Sequence, residues 1–370
     1  MLVHRAEYVN GKNPRGVNLI GPVEQPSGLG QSCRLVKREL EAAGIPVSVV
    51  NFSRVGGNCF QGEFKYDINL IHVNMHEFAD FVNSMTEDEL GSRYNIAFWL
   101  WEMPEFPKQW IRLTEIVDEI WTPSEFSSEA VRRITQKPVY TVPYYITVTS
   151  NEDLERKDFH LPEDKFLFLM LFDKNSCMER KNPEGVIEAF KKAFSEKDDV
   201  GLVVKINNVD RQDVERIKNT LKGYSVYFIN EMLSREDLIR LIELCDCYVS
   251  MHRAEGYGLV LAESMLLGTP TIATGYSANT EFQSADTACL VNYETVELKK
   301  DVSLYHKGDH WADPNVNTCA EYMKKIYSDR AFREQLSQKA KESLGGEAFF
   351  QKIIDVIKSR CDDIWNPTAS

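Results

Sequence analysis

The sequence predicts an α/β protein made of two successive doubly wound units, and three observations carry that expectation. Short apolar runs alternate with amphipathic stretches of helical period, the pattern of parallel strands joined by crossover helices. The alternation lapses once, between about 147 and 164, and then restarts. At 370 residues the chain is long enough for about two domains of roughly 100–200 residues each.

In the first unit "GVNLIG" (16–21) reads as a buried strand, "GQSCRLVKRELEAAG" (30–44) as a helix stopped by Gly44, and "PVSVVNF" (46–52) as the second strand. "DINLIHVN" (67–74) and "NIAFWLW" (95–101) read as further strands, the latter followed by the proline-punctuated "EMPEFP". "EIWTPS" (119–124) and "PVYTVPYYI" (138–146) close the set. The polar, aperiodic "TVTSNEDLERKDFHLPED" reads as a linker.

The second unit opens with the strand "FLFLMLF" (166–172) and the helix "NPEGVIEAFKKAF" (182–194), apolar at 186, 187, 190 and 194. "VGLVVKI" (200–206), "CYVSM" (247–251) and "PTIAT" (270–274) read as strands, and "REDLIRLIELC" (235–245) and "GLVLAESMLLG" (258–268) as helices. The last stretch, "AEYMKKIYSDRAFREQLSQKAKESL" (320–344) and then "AFFQKIIDVIKSRC" (348–361), reads as helical. The expected division is 1–150, a linker 151–164, a second domain 165–345, and a last helix within 346–370 packing back on the first domain.

A hydrophobic content of 43% and a charged content of 27% are those of an ordinary soluble protein. The net charge of −13 argues against wholesale nucleic-acid binding, which needs a basic surface. No segment has the roughly 18 apolar residues of a membrane span, and the N-terminus lacks the apolar core of a signal peptide. The eight cysteines lack C-x-x-C spacing, so Cys245 and Cys247 read as buried rather than metal-binding and the chain as reduced and cytoplasmic.

Ligands of such sheets sit at strand C-terminal ends and helix N-termini, and with two units the cleft between them is the expected site. The stretch "HRAEGYGLVLAESMLLGTPTIATGYSANTEF" (252–282) places Glu255 in a loop after a strand and Glu263 inside the next helix. Gly256 and Gly258 let backbone amides approach a ligand, and the helix end favours an anion. Either acid alone reads equally as a carboxylate favoured by the helix dipole. Gly28 and Gly30 in "PSGLGQSCR" (26–34) stand between strand and helix, an anion loop or a plain turn. Cys33 and Asn51 stand where a dinucleotide fingerprint would need a glycine and an acid.

The spacing "EGYGLVLAE" resembles the E-x7-E motif of retaining glycosyltransferases of family 4, which have the GT-B architecture of two Rossmann-like domains facing across a cleft. The surrounding residues, with "ERKNPEGVIEAFKKAF" (179–194), "WLWEMPEFPKQW" and "DEIWTPSEF", are similar to members that build bacterial surface polysaccharides. The resemblance covers most of the chain and implies transfer of a hexose from a nucleotide diphosphate sugar to a hydroxyl of a glycan or lipid-linked saccharide. GDP-mannose is expected ahead of UDP-hexoses, without metal or other cofactor, and with peripheral contact at the inner membrane face.

The resemblance also implies roles. Glu263 holds the nucleotide ribose and Glu255 lies by the donor sugar. Gly256, Tyr257, Gly258 and Leu259 offer backbone amides, and Gly28 and Gly30 face the diphosphate. Arg180 and Lys181, just ahead of Pro183, stabilise the leaving group. The family's usual arginine at the close of the preceding strand is absent here; Asp173 stands near its place, with Lys205 as the expected substitute or else a snorkelling lysine. Trp101 and Glu102 are expected where relatives carry a histidine, and His72, Asn74 and His252 are further candidates for acceptor contact. Single polar residues at strand ends often only satisfy local backbone, and the tryptophans read equally as core. A sugar-nucleotide epimerase of the same architecture and a non-catalytic nucleotide-sugar-binding subunit stay open.

Overall fold

The computed structural model describes residues 8–53, 59–344 and 346–367; the N-terminal residues 1–7 and residue 345 at the expected domain end lie outside them. The chain divides into two units, one formed by its first 145 residues with those from 346 onward, the other by 146–345.

The first unit contains β1 (Val17–Gly21), α1 (Gly28–Ala42), β2 (Val47–Ser53), β3 (Cys59–Gln61), β4 (Ile68–Ile71), α2 (Met75–Ser84), α3 (Glu87–Leu90), β5 (Tyr94–Phe98), β6 (Glu119–Thr122), α4 (Glu125–Arg132) and β7 (Val139–Thr141). Its seven strands lie in the order β3-β2-β1-β4-β5-β6-β7, parallel except for the antiparallel β3. β1 and β4 are buried along their whole length because helices cover both faces of such a sheet. Ser27 caps α1 by accepting the Gly30 amide at 3.2 Å, and a Thr86–Glu89 capping box opens α3.

The second unit contains β8 (Phe166–Asp173), α5 (Met178–Lys181), α6 (Pro183–Ala193), β9 (Val200–Asn207), α7 (Arg211–Thr220), β10 (Val226–Ile229), α8 (Arg235–Leu244), β11 (Cys247–Ser250), α9 (Leu259–Leu267), β12 (Thr271–Thr274), β13 (Cys289–Val291), the pair β14 (Tyr293–Glu297) and β15 (His310–Pro314), α10 (Val316–Ser328) and α11 (Arg330–Ser343). Its main sheet is entirely parallel in the order β10-β9-β8-β11-β12-β13, and β14 and β15 form an antiparallel hairpin. In both units the order reverses beside the first strand, as in a Rossmann fold. α12 (Glu347–Trp365) belongs to the first unit: Trp365 donates to Asp67 at 3.0 Å and Arg360 pairs with the buried Glu119 at 2.6 Å.

Several expectations need correction. The segment expected to be a linker is built into the second unit. Phe159 and Leu161 are buried in its core, and Arg156 ties Asp246 at 2.9 Å and the Leu244 and Lys165 carbonyls. β5 stops at Phe98 rather than running on to Trp101, and β7 is only three residues long; Pro143, just beyond, has no N–H to continue a ladder. β3, α2, α3, α4, α5, α7, β10, β13 and the hairpin were not legible.

Candidate active site

The loop after β11 carries the first acid. Its backbone is fixed from two sides: the Glu255 amide donates to Ser277 Oγ at 2.8 Å, and Arg253 donates to the Arg180 carbonyl at 2.7 Å. Gly258, at φ 97°, takes the left-handed conformation at the N-cap of α9 and supplies no side-chain capping bond to the helix. Gly268, at φ 76°, ends the same helix.

Opposite this loop, α5 gives way to α6 at Asn182, itself left-handed at φ 51°. Its side chain accepts from the Gly185 amide and donates to the Met251 carbonyl at 2.9 Å, so one residue starts α6 and ties it to the end of β11. Pro183 is the first helical residue, where its missing N–H costs nothing.

This arrangement joins Arg180, Lys181 and Glu255. Lys181 Nζ lies 2.5 Å from Glu255 Oε1, and Arg180 lies 3.3 Å from Oε2. Arg180 is buried and also donates to the Ala254 carbonyl at 2.7 Å and to Ser176. Burial alone would push the Glu255 carboxyl up, but the charges of Lys181, then Arg180, then His252 outweigh it and hold the group at about 2. Glu255 is therefore an ionised acceptor at neutral pH and no proton donor.

Glu263 sits four residues after Leu259, on α9, with no exposed surface. Its carboxylate is paired with Arg235, the first residue of α8. Tyr257 turns its ring against Phe282 at 5.3 Å, so its backbone is what it can offer a ligand.

Other expected residues are placed differently. His252 is buried within the second unit, bonded to Ser250 Oγ at 3.0 Å and Asn279 Oδ1 at 3.1 Å, and burial lowers its basicity; it braces the Glu255 loop rather than meeting an acceptor. Lys205 is also buried, with its ammonium on Asn207 and its pKa lowered by desolvation. No described contact brings it to Lys181. Asp173 caps the turn after β8 and receives Asn208 at 2.9 Å.

In the first unit Gly28 and Gly30 form the first turn of α1, and a Cβ on Gly30 would meet the Gln25 carbonyl at 2.1 Å. His72 is buried, stacked on Phe98 at 4.6 Å and bonded to Ser32 at 2.7 Å, and burial takes its pKa to about 3. It is a neutral core residue. Trp101 is also core, donating to the Glu105 carbonyl at 2.7 Å and meeting Trp110 edge-on. Asn74 stands at the N-cap of α2 without a side-chain bond to that helix, and accepts the Leu100 amide at 3.3 Å. Glu102 is half-buried.

Ser277, Asn182 and Arg235 were missed. Ser277 and Asn182 stand inside stretches whose spacing drew attention, but nothing in their identity announces a bond to a distant backbone atom.

Two Rossmann-like units of this topology are the GT-B architecture. The glycosyl transferases group 1 family matches residues 151–343, just over half of the chain, and the chain belongs to that family. No curated protein sequence matches it closely enough to count as a relative.

Among solved structures, the sucrose-phosphate synthase of Thermosynechococcus elongatus is similar over 94% of this chain and 99% of its own, with 15% identity and a TM-score of 0.67. HepE of Anabaena, in complex with UDP and glucose, is similar over 93% of this chain and 100% of its own, with 13% identity and a TM-score of 0.64. The pneumococcal O-GlcNAc transferase GtfA, in complex with UDP and GlcNAc, is similar over 80% of this chain with 13% identity and a TM-score of 0.54. This chain spans 56% of GtfA. No described helix is long and apolar enough to cross a membrane, and no group of metal-ligating side chains occurs among the described residues.

Proposed function

We propose that the protein transfers a hexose, with retention of anomeric configuration, from a nucleotide diphosphate sugar to a hydroxyl of a glycan or lipid-linked saccharide, in the assembly of a polysaccharide. The observation that carries this reading is the Lys181–Glu255 pair in front of the uncapped start of α9. A cation near a helix N-terminus suits a leaving diphosphate, and an ionised carboxylate suits the hydroxyls of a sugar.

In this reading the bond from the anomeric carbon to the phosphate oxygen breaks as the acceptor oxygen forms its bond on the same face. The acceptor's proton passes to the departing phosphate oxygen. Lys181 and the amides of Gly256 to Leu259 stabilise the charge that develops, and no metal is required of them. Glu255 serves by positioning: both its oxygens are committed to cations, which disfavours a covalent glycosyl intermediate on it. Glu263 accepts the ribose hydroxyls.

UDP stands beside GDP as the nucleotide to test, because the HepE and GtfA structures hold UDP, while the motif resemblance favours GDP-mannose. Thermal melting with UDP, GDP, ADP and dTDP, beside Glu263→Ala, decides. A nucleotide at a hundred times its dissociation constant stabilises by about 2.7 kcal/mol, so one base should raise the wild-type midpoint and leave the variant unmoved. No shift with any of the four would sink the donor assignment. Sugar transfer to a saccharide acceptor, with the product anomer read by NMR, then separates a transferase from an epimerase or a binding subunit.

A further inference from the structure

Glu263 lies wholly out of water in the body of α9, and a buried carboxylate is sustained by a partner of opposite charge. That partner is Arg235, which pairs with Oε1 from the first turn of α8. The arginine side chain keeps 27% of its exposure while the carboxylate keeps none.

Two further facts bear on what that arrangement is for. Oε1 meets the Arg235 guanidinium, and Oε2 has no hydrogen-bond partner among the described residues, so the carboxylate keeps acceptor sites to offer. The backbone that carries Arg235 is also fixed, because Ser234 caps α8 by accepting the Asp237 amide at 3.1 Å. Lys341 of α11 lies over Gly268 at the far end of α9, and Arg180, Lys181 and Glu255 form their own group ahead of the helix.

We propose that Arg235 is a positioning residue for nucleotide recognition, holding the Glu263 carboxylate charged and oriented so that the 2′- and 3′-hydroxyls of a ribose can donate to it. The proposal rests on the donor-site reading of Glu263. It makes recognition of the sugar of the nucleotide a joint property of α8 and α9, two helices that the sequence separates by a strand.

The test is calorimetric titration of UDP and GDP, and of their 2′-deoxy forms, into the full chain. The proteins compared are wild type, Arg235→Ala, Arg235→Lys and Glu263→Ala, each checked for folding by circular dichroism. For the nucleotide that wild type binds, Arg235→Ala should weaken affinity at least about tenfold and bring the preference for ribose over deoxyribose close to one. Arg235→Lys, which restores the charge without the planar fork, should recover most of both. If Arg235→Ala does not fold, Arg235→Gln and Arg235→Lys make the same comparison.

Unchanged affinity and ribose preference in Arg235→Ala would overturn the proposal. Tighter binding would overturn it too, making the arginine a competitor for Glu263. If Glu263→Ala alone loses affinity, only the role of Arg235 fails. If Glu263→Ala also binds like wild type, or wild type binds none of the four probes, the donor-site reading fails with it.

Discussion

Lys181 Nζ stands 2.5 Å from Glu255 Oε1, and its neighbour Arg180 holds the other oxygen of the same carboxylate at 3.3 Å. The two cations are not equivalent. The Arg180 side chain is 3% exposed and spends its N–H groups on the Ala254 carbonyl and on Ser176. The Lys181 side chain keeps 22% of its exposure and has donors to spare. The inward cation builds the loop, and the outward one is available to a ligand anion.

Lys181→Met should therefore act on turnover and little on stability. Arg180 still accompanies Glu255 in the variant, so the melting midpoint should stay within a few degrees of wild type. Loss of one preorganised donor to a developing charge typically lowers kcat by roughly 10²–10³-fold, and steady-state kinetics with saturating donor should show a fall of that order. Unchanged kcat would remove Lys181 from the leaving-group role.

Arg180→Ala should do the reverse. Removing one member of a buried, hydrogen-bonded charge group costs on the order of 3–5 kcal/mol, and in a domain of this size that is a fall in midpoint on the order of 10 °C. Arg180→Lys should recover only part of it, because an ammonium cannot reproduce the fork that spans Ala254, Ser176 and Glu255. A variant that melts like wild type would show the loop to be held by other contacts.

The pattern of the sequence explains why some of this was legible and some was not. β1, β4, β8 and β9 are buried nearly end to end and read as apolar runs, and α9 lies between two glycines that both adopt positive φ. α4 was hidden because "EFSSEAVR" buries serines and alanine rather than a stripe of large apolar residues. The expected linker was misread because one half-buried arginine and two isolated apolar residues anchor it among polar ones. At the site, the acids and the basic pair were visible as local spacings. Their pairing was not, because Lys181 meets Glu255, and Arg235 meets Glu263, only through the order of strands in the sheet. His72, His252 and Lys205 look like ligand contacts in sequence, and burial turns them inward.

Asn182 offers a test of how α6 is set against β11. At φ 51° an alanine would carry about 1–2 kcal/mol of backbone strain that glycine avoids, and either substitution loses the cap to Gly185 and the bond to the Met251 carbonyl. Asn182→Ala should then be the less stable by about 1 kcal/mol or more in chemical denaturation, with Asn182→Gly between it and wild type. The opposite order would mean that the left-handed backbone does not penalise alanine at this position.

Glu39 supplies a pH dependence whose sign can be worked out. It is fully buried on α1, where its Oε1 accepts the Tyr145 amide at 2.7 Å while Arg38 donates to the Tyr145 carbonyl. Tyr145 is the last residue before the chain enters the second unit. Burial pushes the carboxyl up to about 8, against the smaller opposing effects of the Tyr145 amide and Arg38. Between the ordinary value of 4.5 and about 8 the unfolded chain has lost this proton and the native state keeps it. The native state then binds more protons, so stability falls as pH rises through that window, by up to about 1.4 kcal/mol per pH unit. Glu39→Gln keeps an oxygen for the Tyr145 amide but cannot ionise, so its midpoint should gain on wild type steadily from pH 5 to pH 8. Glu39→Ala, which loses the bond as well, should lie below Glu39→Gln at every pH. A difference between Glu39→Gln and wild type that does not change with pH would show that Glu39 titrates alike in both states, and that the chain's exit from the first unit carries no buried proton.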